Sequence, residues 1–283
     1  MSSFQLDKMT WEDIGKLDRN KTIFFLPVSP MEEHGPHLPL GTDFFGAKDI
    51  AELAIRKLNE KDPTVNYVLI PGVPLGCAEM TMDFPGTISM RGKTLMRIVY
   101  DIGSSLARHG FKYLLISNHH LVPIHVKALL VAARKLERKY GMKVFEPIST
   151  IIFSDAIKKT RLAKAGTNMG VDMETESHAD IKETSFIKHK YPELLRDCYK
   201  DLSPCIVDIR KFFKRGIRKL KKMGAEKGYL GSPAEATSEL GQIHLEEGAE
   251  ILVDSAEKLY KGEELPQMSK EIRFALKFLV RLN

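Results

Sequence analysis

The sequence has few cysteines and no long apolar run. Its 283 residues include three cysteines (Cys77, Cys198 and Cys205), an odd number without a C-x-x-C pair. This usage argues against a disulfide framework and favours a reducing compartment, so we expect a cytoplasmic protein. No stretch approaches the roughly 20 consecutive apolar residues that a membrane span requires. The N-terminal MSSFQLDKMTWEDIG also lacks the apolar region of a signal peptide, and we expect no membrane association.

Positive charge is concentrated in one segment. The formal net charge is +6, and nine of the eighteen residues at 210–227 are Lys or Arg. A contact for an anionic ligand, RNA or a partner subunit would explain this segment. A solvated basic helical face explains it equally and is the commoner origin of such a pattern. Because no RNP, KH or zinc-finger motif accompanies the segment, we do not expect nucleic acid as a partner.

Four apolar runs predict buried strands, and helical patterns separate them. The runs cover residues 23–29, 66–74, 112–118 and 144–153, and the helical patterns cover 92–110, 124–140 and 236–260. Alternating strands and helices predict an α/β fold with a mostly parallel central sheet and helices on both faces. No repeat, low-complexity segment or linker marks a boundary, so we expect a single domain over 1–283.

The segment MEEHGPHLPLGTD (31–43) follows the first apolar run and is rich in groups that bind metals. On extended backbone, Glu32 and His34 point the same way, and the two prolines that follow can turn the chain so that Asp43 joins them. A pair of divalent metals wants imidazole and carboxylate ligands, with one carboxylate bridging both. The alternative is a polar loop with Asp43 as the N-cap of the following helix. Spacing alone leaves both interpretations open.

Two further segments carry histidines. Asn118-His119-His120 closes a predicted strand, where one imidazole could complete a metal's coordination and the other could face substrate or a carboxylate. Ordinary surface-loop histidines are the alternative. His178 and Glu183 lie in an acidic segment that would raise the pKa of the histidine and suit it to proton transfer. By itself this segment is typical of a polar loop before a helix.

Together these motifs resemble the creatininase (creatinine amidohydrolase) family. Residues 32–43 match its signature E-x-H-G-P-H-L-P-L-x-T-D. Five further segments match family elements in the same order: MTWEDI (9–14), FPGTISM (84–90), HGFKYLLISNHH (109–120), HADIKETS (178–185) and GSPAEATSELG (231–241). The resemblance therefore covers nearly the whole chain.

The resemblance implies a three-layer α/β/α metallohydrolase with two divalent metals (zinc, manganese or iron), usually assembled as a hexamer. It implies that Glu32, Asp43 and His120 hold one metal and that His34 and the bridging Asp43 hold the second. His178 would be the acid/base group beside the scissile bond.

The departures from the family pattern concern the substrate side. Where the family has Gly-His-Gly-Gly-Asn, this chain reads His119-His120-Leu121-Val122-Pro123. Creatininase has a glutamate two residues after the ligating histidine, but Val122 cannot bind a metal. We therefore do not expect creatinine as the substrate. Glu183 is the candidate for the missing ligand and is also expected to take part in catalysis; His119 is the reserve ligand.

The expected reaction is hydrolysis of a C–N amide or formamide bond by a metal-activated water, with His178 protonating the departing nitrogen. The substrate would be a small amide, cyclic or phosphorylated, and an activity like that of formamidopyrimidine deformylase is favoured over creatininase. The alternative function is a catalytically inactive binding or scaffold protein that keeps the fold.

Overall fold

In the part of the chain that the structure describes, five short strands pair side by side, all in parallel. The computed structural model describes residues 4–154 and 160–283. The strands are β1 (Phe4–Gln5), β2 (Thr22–Pro27), β3 (Asn66–Leu69), β4 (Tyr113–Ser117) and β5 (Lys143–Phe145). Their order in the sheet is β1-β3-β2-β4-β5. The central pair is the longest, with Ile23 beside Tyr113 and Pro27 beside Ser117.

Helices connect the strands and pack on them. They are α1 (Trp11–Lys16), α2 (Thr42–Lys61), α3 (Gly92–Arg108), α4 (Pro123–Tyr140), α5 (Pro147–Ile152), α6 (Arg161–Asn168), α7 (Ile181–Lys190), α8 (Ile209–Lys214), α9 (Ser238–Lys261) and α10 (Lys270–Phe274). The α4 boundaries follow directly from sequence, because Pro123 lies in the first turn and Gly141 ends the helix in the left-handed conformation.

Alternate side chains of each strand enter two separate cores. One core contains Phe25 and Leu115 and is covered by α2 and α9; the other contains Phe24 and Leu114 and is covered by α3 and α4. Both faces of the sheet are therefore buried, as all-parallel sheets require. The predicted α/β fold with helices on both faces is confirmed, in the three-layer α/β/α arrangement.

The largest error in the predicted elements concerns residues 144–153. The apolar run predicts one buried strand, but β5 ends at Phe145 and α5 begins at Pro147. Proline lacks a backbone N–H for the sheet and is favoured in the first helical turn. The Glu146 side chain then caps the helix by accepting a hydrogen bond from the Ser149 backbone N–H.

The basic segment 210–227 forms less helix than a basic helical face would need. Only α8 (Ile209–Lys214) and one 3₁₀ turn (Lys221–Met223) are helical there. Leu220 and Met223, which belong to this segment, are buried in a small apolar cluster. Within the described residues, none of the helices combines the length and the hydropathy needed to cross a membrane.

Candidate metal centre

The motif-bearing loops meet at the carboxyl edge of the sheet. Strands β2 and β4 are neighbours, and the chain's connections diverge on either side of them, which is where parallel α/β sheets form their ligand crevice. The loop after β4 is braced by Asn118, whose Oδ1 accepts from the His120 backbone N–H (2.9 Å) and whose amide donates to the His120 carbonyl (2.8 Å). His120 is thereby fixed beside the segment that follows β2.

Two donor sets overlap at one aspartate. Glu32, Asp43 and His120 form the first set, and His34, Asp43 and Glu183 form the second. In the first set His120 Nδ1 lies 3.0 Å from Glu32 Oε1 and 2.9 Å from Asp43 Oδ2. In the second set His34 Nε2 lies 3.6 Å from Asp43 Oδ1 and 3.7 Å from Glu183 Oε2. The two oxygens of Asp43 thus face different sets, as a bridging carboxylate requires.

The outward nitrogens of the two histidines are already occupied. His120 Nε2 donates to the Cys77 carbonyl at 3.0 Å, and His34 Nδ1 donates to the Glu32 carbonyl at 3.0 Å. These bonds fix the tautomers and turn the free lone pairs of His120 Nδ1 and His34 Nε2 toward the carboxylates. His34 Nε2 is buried and has no hydrogen-bond partner within the described residues. A divalent metal would satisfy this atom, so the residues present fit the group.

Electrostatics also favour a cation at this centre. Burial alone would lower the pKa of His34, but the charges of Asp43 and Glu183 outweigh it and raise the pKa to about 10. Burial likewise opposes ionisation of Asp43, but the charge of His34 and the hydrogen bonds from His119 and His120 hold its pKa well below the usual range. Without metal, protons on the histidines supply the positive charge that the buried carboxylates need.

The carboxylates of Glu32 and Glu183 are each held by a hydrogen bond from outside the donor sets. Thr81 Oγ1 donates to Glu32 Oε2 at 2.8 Å. Glu183 lies in the first turn of α7, where its Oε2 accepts from the Ala179 backbone N–H at 2.6 Å. The Asp180 side chain caps the same helix by accepting from the Lys182 and Glu183 N–H groups.

His178 lies beside the first donor set and contacts Glu33. Its Nε2 donates to the Glu33 carbonyl at 2.9 Å and lies 3.3 Å from Glu33 Oε1, while its Nδ1 is 3.8 Å from Glu32 Oε1. Burial lowers the pKa of His178, but the hydrogen bond with Glu33 and the charge of Glu32 raise it by more. Glu32, His34 and His178 also form a third set of possible ligands.

The backbone after His178 is strained. Ala179 has φ +45°, in the left-handed region that side-chain-bearing residues rarely adopt. Its buried methyl group and the N–H bond to Glu183 hold this conformation. Such strain is typical of functional sites.

The structure brings together every predicted site residue: Glu32, His34, Asp43, His120, His178 and Glu183. His119, the reserve ligand, contacts Asp43 instead of solvent, with Nδ1 3.2 Å from Oδ1. The alternative of Asp43 as a helix N-cap is wrong. Gly41 occupies the N-cap of α2, and Asp43 lies inside the first turn with its carboxylate directed at the histidines.

Sequence reasoning missed Glu33, Thr81 and His244. Glu33 lies within the motif, but nothing in its position indicated a contact with His178. Thr81 comes from a distant loop and left no signal. His244 did leave one, because it falls between Leu240 and Gly248 on the buried side of α9. A histidine on an apolar helix face needs a partner.

An open cleft of about 650 Å³ lies beside Glu33. Its lining residues are Glu33, Gly35, Pro36, Leu40, Phe84, Pro85, Cys198, Asp201, Leu202, Lys221, Glu226 and Lys227. Glu33 on its wall contacts His178 directly, so the cleft adjoins the centre. Two lysines of the basic segment, Lys221 and Lys227, form part of its wall.

A parallel α/β sheet with overlapping carboxylate–histidine donor sets at its carboxyl edge defines the class of metal-dependent hydrolases. Comparison with known sequences assigns the family. The profile of creatinine amidohydrolases matches residues 7–256. The chain belongs to the creatinine amidohydrolase (creatininase) family, and it is therefore a metal-dependent amidohydrolase, a hydrolase acting on carbon–nitrogen bonds other than peptide bonds.

Individual relatives are distant. Creatinine amidohydrolase of Pseudomonas putida is 27% identical over 200 residues, which cover 66% of this chain and 72% of that protein. Mycofactocin precursor peptide peptidase of Mycolicibacterium smegmatis is 24% identical over 220 residues, which cover 77% of each chain. The low identity agrees with the departure of residues 119–123 from the family pattern.

Solved structures show the same fold. One described as creatininase Mn has a TM-score of 0.69 at 22% identity, covering 92% of this chain and 99% of its own. A mutant creatininase of Zn-Zn type has a TM-score of 0.71 at 21% identity with the same coverage. Those creatininases are thus described with manganese and with zinc.

Proposed function

We propose that this enzyme hydrolyses a formamide or other small amide at a two-metal centre. Glu32, Asp43 and His120 would hold one divalent ion, and His34, Asp43 and Glu183 would hold the other. The observation that carries the proposal is the division of the Asp43 oxygens between the two donor sets, supported by the unpartnered Nε2 of His34. Zinc, manganese and iron all suit carboxylate and imidazole ligands.

Metals in such a set, when bound, polarise a substrate carbonyl and lower the pKa of a coordinated water to about 7. The chain's own residues would handle the leaving group. His178 Nε2 is held by the Glu33 carbonyl, so Nδ1, on the side of Glu32, is the atom that would give a proton to the departing nitrogen. The raised pKa of His178 supports this role, because it increases the share of the imidazole that carries a proton to donate.

The substrate we favour is a phosphorylated formamide, in a reaction like that of formamidopyrimidine deformylase. Lys221 and Lys227 on the wall of the cleft support an anionic group in the substrate. The changed residues at 119–123 argue against creatinine, since Val122 offers no ligand. Glu33, Asp201 and Glu226 line the same cleft and would repel a substrate that placed its phosphate near them.

The substrate is tested by comparing a formamide with and without its phosphate. We expect kcat/KM to be at least tenfold higher for the phosphorylated compound, and Lys221→Gln to raise KM for that compound alone. Equal kcat/KM values for the two compounds would remove the phosphate from the proposal and leave the hydrolysis of an amide.

We also propose a cytoplasmic homo-oligomer, a hexamer by family resemblance. Free Cys77, Cys198 and Cys205 support a reducing compartment. The exposed Phe274, Phe278 and Leu279 near the C-terminus support an interface between copies. Analytical ultracentrifugation tests the assembly: a monomer at micromolar concentration would contradict it.

The decisive experiment for the centre is the metal content per chain, measured by elemental analysis on protein purified without chelator. We expect about two ions in the wild type and a loss of both in Asp43→Asn. The matched control is Asp49→Asn, because Asp49 is a buried aspartate of the same helix whose Oδ2 accepts from the Tyr191 hydroxyl at 2.7 Å. A wild type that binds no metal even after reconstitution would favour the inactive binding or scaffold protein.

A further inference from the structure

A pair of histidines lies behind the shared aspartate. His119, directly after β4, and His244, in α9, approach each other with 2.7 Å between their Nε2 atoms. On its other side His119 faces the centre, with Nδ1 3.2 Å from Asp43 Oδ1. The two imidazoles thus form a continuous chain from a helix on the face of the sheet to the carboxylate between the two donor sets.

The positions of the protons in this chain follow from the surroundings of His244. Its Nδ1 is buried and has no hydrogen-bond partner within the described residues. If His244 Nε2 accepted the bond between the rings, Nδ1 would have to carry a buried N–H without an acceptor, which proteins avoid. His244 Nε2 is therefore the donor and His119 Nε2 the acceptor. It follows that His119 Nδ1 carries a proton and donates it to Asp43.

The ring of His119 is also fixed by packing. A Cβ at Gly46 of α2 would lie 2.7 Å from the His119 ring, so the absence of a side chain at position 46 makes room for it. The Phe186 ring lies 6.0 Å from the His119 ring and 6.1 Å from the His244 ring, between centroids. Packing therefore confines the ring of His119, and the hydrogen bonds at its two nitrogens direct Nδ1 at Asp43.

We propose that His244 and His119 are positioning residues that hold the shared carboxylate of Asp43 for its two metals. This inference rests on the proposed function. It also separates the two candidates for the last ligand of the second set. Both nitrogens of His119 are engaged, Nε2 by the N–H of His244 and Nδ1 by Asp43, so neither offers a free lone pair to a metal, and Glu183 is the ligand.

The test measures the affinity for zinc rather than turnover. His244→Phe keeps a ring of similar volume and removes the donor, whereas His244→Gln supplies an N–H donor on a side chain of similar reach. Competition with a chromophoric chelator gives the dissociation constants of both ions. We expect the weaker-bound zinc to dissociate 10–100-fold more readily from His244→Phe, as for other outer partners of metal ligands. We expect His244→Gln to recover most of the loss, and both variants to bind two ions at saturation.

The number of bound ions in His119→Phe tests the second half of the inference. Two zinc ions at saturation with weakened affinity agree with a positioning role. One ion at saturation would make His119 a ligand and overturn the assignment. Thermal unfolding of the metal-free variants is the control for packing, because a purely structural role would lower the midpoint and leave the zinc affinity unchanged.

The outcomes also separate this inference from the proposed function. A wild type that binds no zinc overturns both. A wild type that binds two ions, together with an unchanged affinity in His244→Phe, overturns the positioning role alone and leaves the two-metal hydrolase in place.

Discussion

Two histidines of the same centre face different atoms, and this predicts different consequences of their removal. His120 Nδ1 contacts both Glu32 and Asp43, whereas His178 Nε2 contacts Glu33. We expect His120→Ala to lose metal and all activity. We expect His178→Ala to keep about two ions and lose roughly 10²–10⁴-fold in kcat, the usual contribution of a positioned acid. Elemental analysis beside single-turnover kinetics separates them, and a His178→Ala protein without metal would make His178 a ligand.

A buried carboxylic acid away from the centre predicts a pH dependence of stability. Burial raises the pKa of Glu146 to about 7, despite hydrogen bonds from Ser149. Its pKa in the unfolded chain is about 4.3. The folded protein therefore holds this proton more tightly, so the stabilisation contributed by Glu146 is complete below pH 4.3 and is lost as the pH rises through 7. The loss for this group is roughly 4 kcal/mol.

Glu146→Gln should flatten this part of the profile, because the amide oxygen still accepts from the Ser149 backbone N–H and carries no charge. Urea unfolding between pH 4.5 and 8 measures it, with Glu263→Gln as the control at an exposed side chain. A variant whose stability still falls in parallel with the wild type would show that Glu146 does not titrate in this range.

Site residues that directly follow neighbouring strands of the sheet were predictable, and those that reach the site from other elements were not. The motif at 31–43 and the histidines at 119–120 follow neighbouring strands, so their convergence could be expected from the parallel sheet. His244 reaches the centre only because α9 packs across the same face as α2. Thr81 reaches it from a loop between β3 and α3. No local pattern contains these contacts.

At the scale of elements, α7 and α9 pack so closely that their contact has room only for a glycine at position 241. A Cβ at Gly241 of α9 would lie 2.0 Å from the Ser185 carbonyl oxygen of α7, and backbone cannot move aside as a side chain can. Gly241→Ala should separate the helices, costing about 1–3 kcal/mol or more. Because Glu183 is on α7 and His244 is on α9, zinc affinity should fall as well.

The control is Gly15→Ala in α1, where a Cβ would meet nothing within 4 Å. Alanine is favoured over glycine in a helix by about 0.5–1 kcal/mol, so this variant should be slightly more stable than the wild type and bind zinc unchanged. Denaturant unfolding and the chelator competition measure both quantities. A Gly241→Ala protein with wild-type stability would mean that the helices can separate without cost.

The predictable elements were those whose boundaries have local chemical signals. Helix α4 has Pro123 and Gly141 at its ends, and its predicted limits agree with the structure. The run at 144–153 is mostly apolar and gives no periodicity that separates a strand from a helix. Pro147 ends the strand and begins a helix, and Glu146 caps that helix. The hydrophobic pattern alone does not indicate this change.

At the scale of the whole molecule, metal and protons compete for the same buried carboxylates. In the metal-free protein the charges of Asp43 and Glu183 outweigh burial and raise the pKa of His34 to about 10, above its unfolded value of about 6.5. A histidine whose folded pKa is raised stabilises the fold fully below pH 6.5, and that stabilisation is lost as the pH rises toward 10. The metal-free enzyme should therefore become less stable across this window.

The metal-loaded enzyme should behave oppositely, because a ligand that needs deprotonated histidines binds more tightly as the pH rises. At a free metal concentration of 100 times Kd, one site adds about 2.7 kcal/mol of stability. The difference in unfolding midpoint between zinc-loaded and EDTA-treated protein should thus widen from pH 6 to pH 9. Differential scanning calorimetry measures it, and Asp43→Asn should show almost no difference at any pH. A difference that stays constant with pH would mean that the histidines give up no protons to the metals, and hence that the ions bind elsewhere.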